Sequence, residues 1–149
     1  MGLLTSRRTS LVAATPAAAW ERLVAGGTGP HWYADAAPFR FRGALDRLLG
    51  GDPGVAPPDR ALRGGDDAGF WHVESAARHV LVLRARVQAP GTVTLTSTVA
   101  GDGAGTRLSQ DVTFQPRGVA GAAYLLADLP AREALIRLVH ARTRREVGR

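Results

Sequence analysis

From Phe70 to Gln115 the chain alternates with a period of two. Trp71 and Val73 alternate with His72 and Glu74, and Leu81, Leu83, Ala85 and Val87 with Val82, Arg84, Arg86 and Gln88. Val93, Leu95 and Val99 alternate with Thr92, Thr94, Thr96 and Thr98, and Leu108, Gln110, Val112 and Phe114 with Arg107, Ser109, Asp111 and Thr113. Successive side chains of a strand point to opposite faces, so this pattern predicts four antiparallel strands with one dry and one wet face. Ala89-Pro90-Gly91 and Gly101 to Gly105 supply turns. The second is glycine-rich like a nucleotide-binding loop, but strands flank it on both sides, which makes it a hairpin turn. On the dry face Gln110 is the polar exception. An unpaired buried amide costs a few kcal/mol, so Gln110 must meet Tyr124, Arg117, backbone, water or a ligand.

The flanks read as helix and loop. Residues 8–14 form a first strand in which neither face is strongly polar. Thr15 caps a short helix with Pro16 in its first turn, an apolar face of Ala17, Trp20, Leu23 and Val24, and a stop at Gly26-Gly27. Trp20 anchors that helix in the core. Phe39 and Phe41 alternate with Arg40 and Arg42 as in an edge strand, and residues 44–49 add a helical turn. Residues 52–69 hold three prolines and paired acids without a hydrophobic period, the signature of a long loop that can serve as a gate. In the last third, Ala120, Tyr124, Ala127, Ala131, Leu135, Leu138 and Arg142 recur at helical steps. Two readings fit: one helix kinked at Pro130, or two helices with Asp128 capping the second.

Composition narrows the chemistry. A chain of 149 residues, 45% hydrophobic, suits one domain spanning 1–149 with a single core. With no cysteine and no lysine it has no disulfide, thiolate ligand, Schiff base or phosphate-loop lysine. The missing lysine and asparagine and the lone isoleucine, Ile136, indicate GC-rich coding DNA and a bacterial source. The net charge of +6 rests on arginines spread over every segment, which argues against a nucleic-acid reader. No apolar run approaches the ~20 residues of a membrane span, so a cytoplasmic location is expected. Four separated histidines give no metal signature, no cofactor is expected, and no serine-hydrolase elbow is present.

A strand, a Pro16-x-x-x-Trp20-x-x-Leu23 helix, an antiparallel sheet and a C-terminal helical segment together resemble the helix-grip fold of the START and polyketide-cyclase (SRPBCC) superfamily. More specifically, it resembles an uncharacterised branch of that superfamily often fused behind NAD(P)-binding epimerase-like domains. The resemblance rests on Trp32-Tyr33-Ala34-Asp35, Arg42-Gly43-x-x-Asp46, Gly65-Asp66, Phe70-Trp71-x-Val73-Glu74, Leu83-Arg84-Ala85, Pro90-Gly91, Leu108-x-Gln110 and Phe114-x-Pro116-Arg117-Gly118-x-x-Gly121-x-x-Tyr124. This chain departs from the branch at Ala36-Ala37-Pro38 and Leu125, where tryptophans are usual, and at Arg132, where a histidine is. The resemblance implies an α+β fold in which a curved antiparallel sheet wraps a long C-terminal helix, with a ligand cavity between them.

A small hydrophobic or amphipathic ligand is the expected partner, and Tyr33, Phe41, Arg42, Trp71, Gln110, Arg117 and Tyr124 are its candidate contacts. His31 and Asp35 share a face if their stretch is helical and are the candidate acid-base pair. An alternative is a cyclase- or dehydratase-like enzyme using the same cavity. A third is an interaction module that partners a separate NAD(P)-dependent enzyme.

Overall fold

In a computed structural model of the chain, residues 4–27, 31–35, 56–69, 71–85, 91–103, 105–116 and 136–148 are described. They form β1 (Leu4–Val12), α1 (Pro16–Leu23), the short α2 (Trp32–Asp35), β2 (Asp67–Ala68), β3 (Trp71–Ala77), β4 (Val80–Ala85), β5 (Gly91–Asp102), β6 (Gly105–Pro116) and α3 (136–147). All six strands join one antiparallel sheet in the order β1-β6-β5-β4-β3-β2. The C-terminal helix lies on its inner face, so the architecture is α+β and of the helix-grip type.

Strand parity places the core as the alternation predicts. Trp71, Val73, Leu81, Leu83, Leu95, Leu108, Val112 and Phe114 are buried, while Thr94, Thr96, Thr98 and Thr113 lie on the opposite face. Register aligns the inward set across strands: Leu83 faces Leu95, Leu95 faces Val112, and Val93 faces Phe114. Glu74 is the extra residue of a bulge between Val73 and Ser75, and Ala76 rather than Ser75 then turns inward. The glycine-rich stretch is the β5–β6 turn, closed by the Asp102–Gly105 pair, with Gly103 at φ +60°.

The first strand is longer than its apolar content indicates. It runs from Leu4, not Arg8, and ends at Val12. Pairing along its full length with β6 satisfies the backbone of the polar Thr5-Ser6-Arg7 stretch, which propensity alone leaves out. Ser6 and Val12 turn inward, whereas Leu11 is 67% exposed. Arg7 clasps Asp111 on the outer face with Nε to Oδ1 at 2.6 Å and Nη2 to Oδ2 at 3.1 Å.

In α1, Thr15 caps as predicted, accepting from the Ala18 amide at 3.2 Å, with Pro16 at the first turn. Its buried face is Ala19 and Leu23, and Ala17 points to solvent. Trp20 packs partly buried at the core edge, its ring 5.5 Å from that of His79. His79 shares with Arg78 a two-residue turn in which both have positive φ.

Residues 56–66 form no regular element, as the loop reading of 52–69 expects, but main-chain hydrogen bonds tie them down, and β2 takes the end of that stretch into the sheet. The Leu62 amide donates to Val24 O at 2.8 Å, the Gly27 amide to Pro58 O at 2.6 Å, and Leu62 is buried. A side chain at Gly26 would collide with the carbonyl oxygens of Arg60 and Pro58, so glycine permits this close approach. Asp66 locks the segment by accepting from both arms of Arg60 at 2.8 and 3.0 Å and from the Arg63 amide at 2.8 Å. The strap then enters β2 and the sheet. Residues 52–55, the edge strand at Phe39 and Phe41, the helical turn at 44–49 and the Pro130 kink lie outside the described residues.

The helical stripe in α3 is corrected too. Ile136, Val139, His140, Thr143, Glu146 and Val147 are buried, while Leu138, assigned to the buried stripe, is 55% exposed. The face turned to the sheet is half polar because the sheet offers polar partners there. A count restricted to apolar residues therefore selects the wrong face.

The Arg60 guanidinium beside Asp66 holds its carboxyl down at about 2, below the ordinary value of 3.8. Stability contributed by ionised Asp66 is therefore present in full above the unfolded value of ~4 and is lost as pH falls toward 2. Denaturant unfolding across this range should show Asp66→Asn less stable than the parent at pH 6, with the gap closing on acidification. A gap independent of pH would show that the strap does not depend on this charge.

Candidate functional site

A chain of hydrogen bonds runs through the interior where α3 crosses the sheet. Gln110, fully buried on β6, donates through Nε2 to Ser97 Oγ at 3.0 Å on β5 and to Thr143 Oγ1 at 3.2 Å on α3. Its Oε1 lies 2.9 Å from His140 Nδ1, and His140 Nε2 lies 2.7 Å from Ser10 Oγ on β1. Three strands and the helix thus meet in one network.

The proton order along Thr143, Gln110, His140 and Ser10 follows from a single carbonyl. Thr143 Oγ1 donates to Val139 O at 2.7 Å, because a carbonyl only accepts. The Thr143 hydroxyl must then accept from Gln110, which turns the amide nitrogen toward α3 and the amide oxygen toward His140. That oxygen accepts, so His140 carries its proton on Nδ1, and a neutral ring leaves Nε2 to accept from the Ser10 hydroxyl. Burial pushes the His140 ring below its ordinary 6.5, with Arg144 and Arg8 adding to the effect, so the neutral form prevails at pH 7. An unfolded chain takes up the proton as pH falls through about 6.5, so the stability carried by the neutral ring is present above that pH and declines below it.

Gln110 has three side-chain partners that the pattern of the sequence did not single out. Ser97, His140 and Thr143 bond the amide, while Tyr124 and Arg117 lie outside the described residues. Strand parity carried one unused signal: position 97 falls on the dry face between Leu95 and Val99. Helical spacing carried the other, since His140 and Thr143 stand four and seven residues beyond Ile136.

The aromatic stretch at α2 forms a second enclosed group. Trp32 and Tyr33 are fully buried. Trp32 Nε1 donates to Leu23 O at 2.9 Å, Tyr33 Oη donates to Ala25 O, and Trp71 Nε1 donates to Tyr33 O at 3.0 Å. His31 stacks on Tyr33 with ring centroids 5.2 Å apart and its Nε2 donates to Gly27 O at 3.0 Å. Glu146 accepts the Trp32 amide at 3.2 Å and faces Arg142 Nε at 3.5 Å, tying α3 to α2.

Through these bonds the Tyr33 hydroxyl and the Trp71 indole each donate to a backbone carbonyl. His31 precedes α2 and Asp35 ends it. Phe41 and Arg42 lie outside the described residues, as do Arg117 and Tyr124. Among the described residues no group of three or more His, Cys, Asp or Glu side chains is placed to hold a metal ion, and no helix is long and apolar enough to cross a membrane.

A family model described as "Protein of unknown function (DUF2867)" matches residues 3–139, and the chain belongs to that family. No curated protein sequence matches it. Among solved structures it is similar to the KanY protein, with 16% identity, a TM-score of 0.61 and coverage of 99% of this chain and 97% of that one. It is also similar to protein Ms6760 from Mycobacterium smegmatis, with 17% identity, a TM-score of 0.51 and coverage of 97% and 88%. At these identities the likeness is one of fold.

Replacing Gln110 by leucine keeps the volume but strands the His140 Nδ1–H in the interior. Gln110→Leu should lower the unfolding free energy by about 2–3 kcal/mol in denaturant titration. A loss below about 0.5 kcal/mol would mean that the network contributes little to holding the helix on the sheet.

Proposed function

We propose that this DUF2867 member binds a small hydrophobic or amphipathic molecule between the inner face of its sheet and the C-terminal segment. The supporting observation is how the inner face is divided. Among the described residues α3 is hydrogen-bonded to the sheet at Ser10 and Gln110, diagonal neighbours on the paired strands β1 and β6. Past Gln110, toward Phe114, β4, β5 and β6 present an apolar inner face on which Leu83, Leu95 and Val112 are in register and Val93 stands opposite Phe114, with Ser6 of β1 at its margin beside Val112. A surface of this kind takes up apolar matter by removing it from water, at about 25 cal/mol per Å² buried.

In this reading Trp71 and Tyr33 shape the wall from behind, through the indole bond to the Tyr33 carbonyl. Phe41 and Tyr124 add apolar contacts, and Arg42 and Arg117 hold the acidic end of an amphipathic ligand. Gln110 marks the polar end of the apolar patch. The ligand-binding interpretation gains weight from the helix-grip architecture shared with the structures above, in which helix and sheet face each other across one interior.

The test uses a fluorescent apolar anion, 1-anilinonaphthalene-8-sulfonate, together with native mass spectrometry of protein purified from its own host. The folded chain should bind the dye saturably and carry a small molecule through purification. Val93→Trp, which enlarges a partly buried side chain on the apolar patch, should weaken dye binding about tenfold, a loss of ~1.4 kcal/mol, with an unchanged circular dichroism spectrum. Saturable binding that is indifferent to Val93→Trp, or no binding by either method, would overturn the proposal.

A further inference from the structure

We infer that Ser10 is an activated nucleophile, with His140 as its general base and Gln110 as the residue that positions the ring, directed at esters that carry a negative charge. The geometry is that of a nucleophile, a base and an orienting acceptor in line: Ser10 Oγ 2.7 Å from Nε2, and Nδ1 2.9 Å from Gln110 Oε1. What distinguishes it from an ordinary buried cluster is that the proton order is imposed. The Val139 carbonyl fixes Thr143, Thr143 fixes the amide, and the amide fixes the Nδ1–H tautomer, leaving the Nε2 lone pair directed at the Ser10 hydroxyl. This is the form a base must hold before it can take a proton.

Access and field fit the same role. Ser10 is only partly buried and lies on β1, the end strand of the sheet, whereas Gln110 behind the ring is sealed. Arg8 shares the face of Ser10 two residues away, and Arg144 lies one helical turn beyond His140. Both guanidiniums act on the ring electrostatically, one from β1 and one from α3. They would attract a substrate carboxylate and stabilise the negative charge that develops on an attacked carbonyl oxygen. Their field also opposes protonation of the ring, which keeps the base free near neutral pH.

The step balances without a cofactor. Ser10 Oγ attacks the ester carbonyl carbon, a new C–O bond forms, and the bond from that carbon to the leaving oxygen breaks. The hydroxyl proton passes to Nε2 and then to the departing oxygen. Water, deprotonated by the same nitrogen, hydrolyses the acyl-serine to a carboxylic acid and restores Ser10.

The test supplies the full chain with mono-p-nitrophenyl succinate and, for comparison, the neutral p-nitrophenyl acetate. Acid-quenched protein should gain one acyl group, mapped to Ser10 by peptide mass spectrometry, with faster release of nitrophenol from the anionic ester. Ser10→Ala should lower the release rate at least about a hundredfold while leaving dye binding to the apolar patch intact. Ser109→Ala, on the outer face, should change nothing. Should variants at His140 fail to fold, the pH profile of the parent carries the point, because acylation should rise with pH and level off through an inflection below 6.5. Acylation elsewhere, unchanged release by Ser10→Ala, or a rate that climbs tenfold per pH unit through neutrality would each overturn the inference.

Discussion

The bond from the Thr143 hydroxyl to the Val139 carbonyl is local to one helical turn, yet the order of the whole interior depends on it. Because it can run in only one direction, it removes the freedom of each group that follows: the amide of Gln110, the tautomer of His140, the hydroxyl of Ser10. A buried polar network with two equivalent proton arrangements would hold the helix equally well but would leave its imidazole undefined. Here the definition is imposed by the backbone, the least adjustable partner available. The same network joins β1, β5, β6 and α3, so packing and chemistry share their residues.

A second group of contacts frames the first. The indoles of Trp32 and Trp71 and the phenol of Tyr33 each donate to a backbone carbonyl, at Leu23, Tyr33 and Ala25 in turn. Large side chains that also satisfy a main-chain acceptor fix the end of α1 and the α2 turn against the sheet without leaving orphaned carbonyls. Glu146 extends this frame to the end of α3 through the Trp32 amide. The helix is thereby held at its polar middle and at its C-terminal end, and the apolar patch around Phe114 lies beyond those fastenings.

Much of the fold was legible in the sequence because strand parity is a strict code. The inward set from Trp71 to Phe114 could be read residue by residue, and so could the Thr15 cap and the glycine hairpin. Gln110 was also recognisable as a polar group in need of partners. Its partners were not, because Ser97, His140 and Thr143 sit at buried positions that a search for apolar residues passes over. Leu138 misled for the complementary reason, as an apolar residue on the outer face of a helix whose inner face is polar. The strap from 56 to 66 was hidden because backbone amides and carbonyls hold it, and these leave no mark in side-chain pattern. Ser6 and Thr5 were missed in β1 because long-range pairing with β6, rather than local propensity, makes them strand.

The register that pairs Leu4 with Phe114 has a consequence for how the molecule comes into being. β1 leaves the ribosome without a mate, because four other strands are made before β6. Hairpins between neighbouring strands close early, whereas joining β1 to β6 requires a large loop to be drawn shut. Ser10 enters the sheet with that late closure, and His140 emerges later still. The alignment of hydroxyl, imidazole and amide therefore exists only once α3 has been made, and any chemistry it supports is withheld from nascent forms that lack that helix.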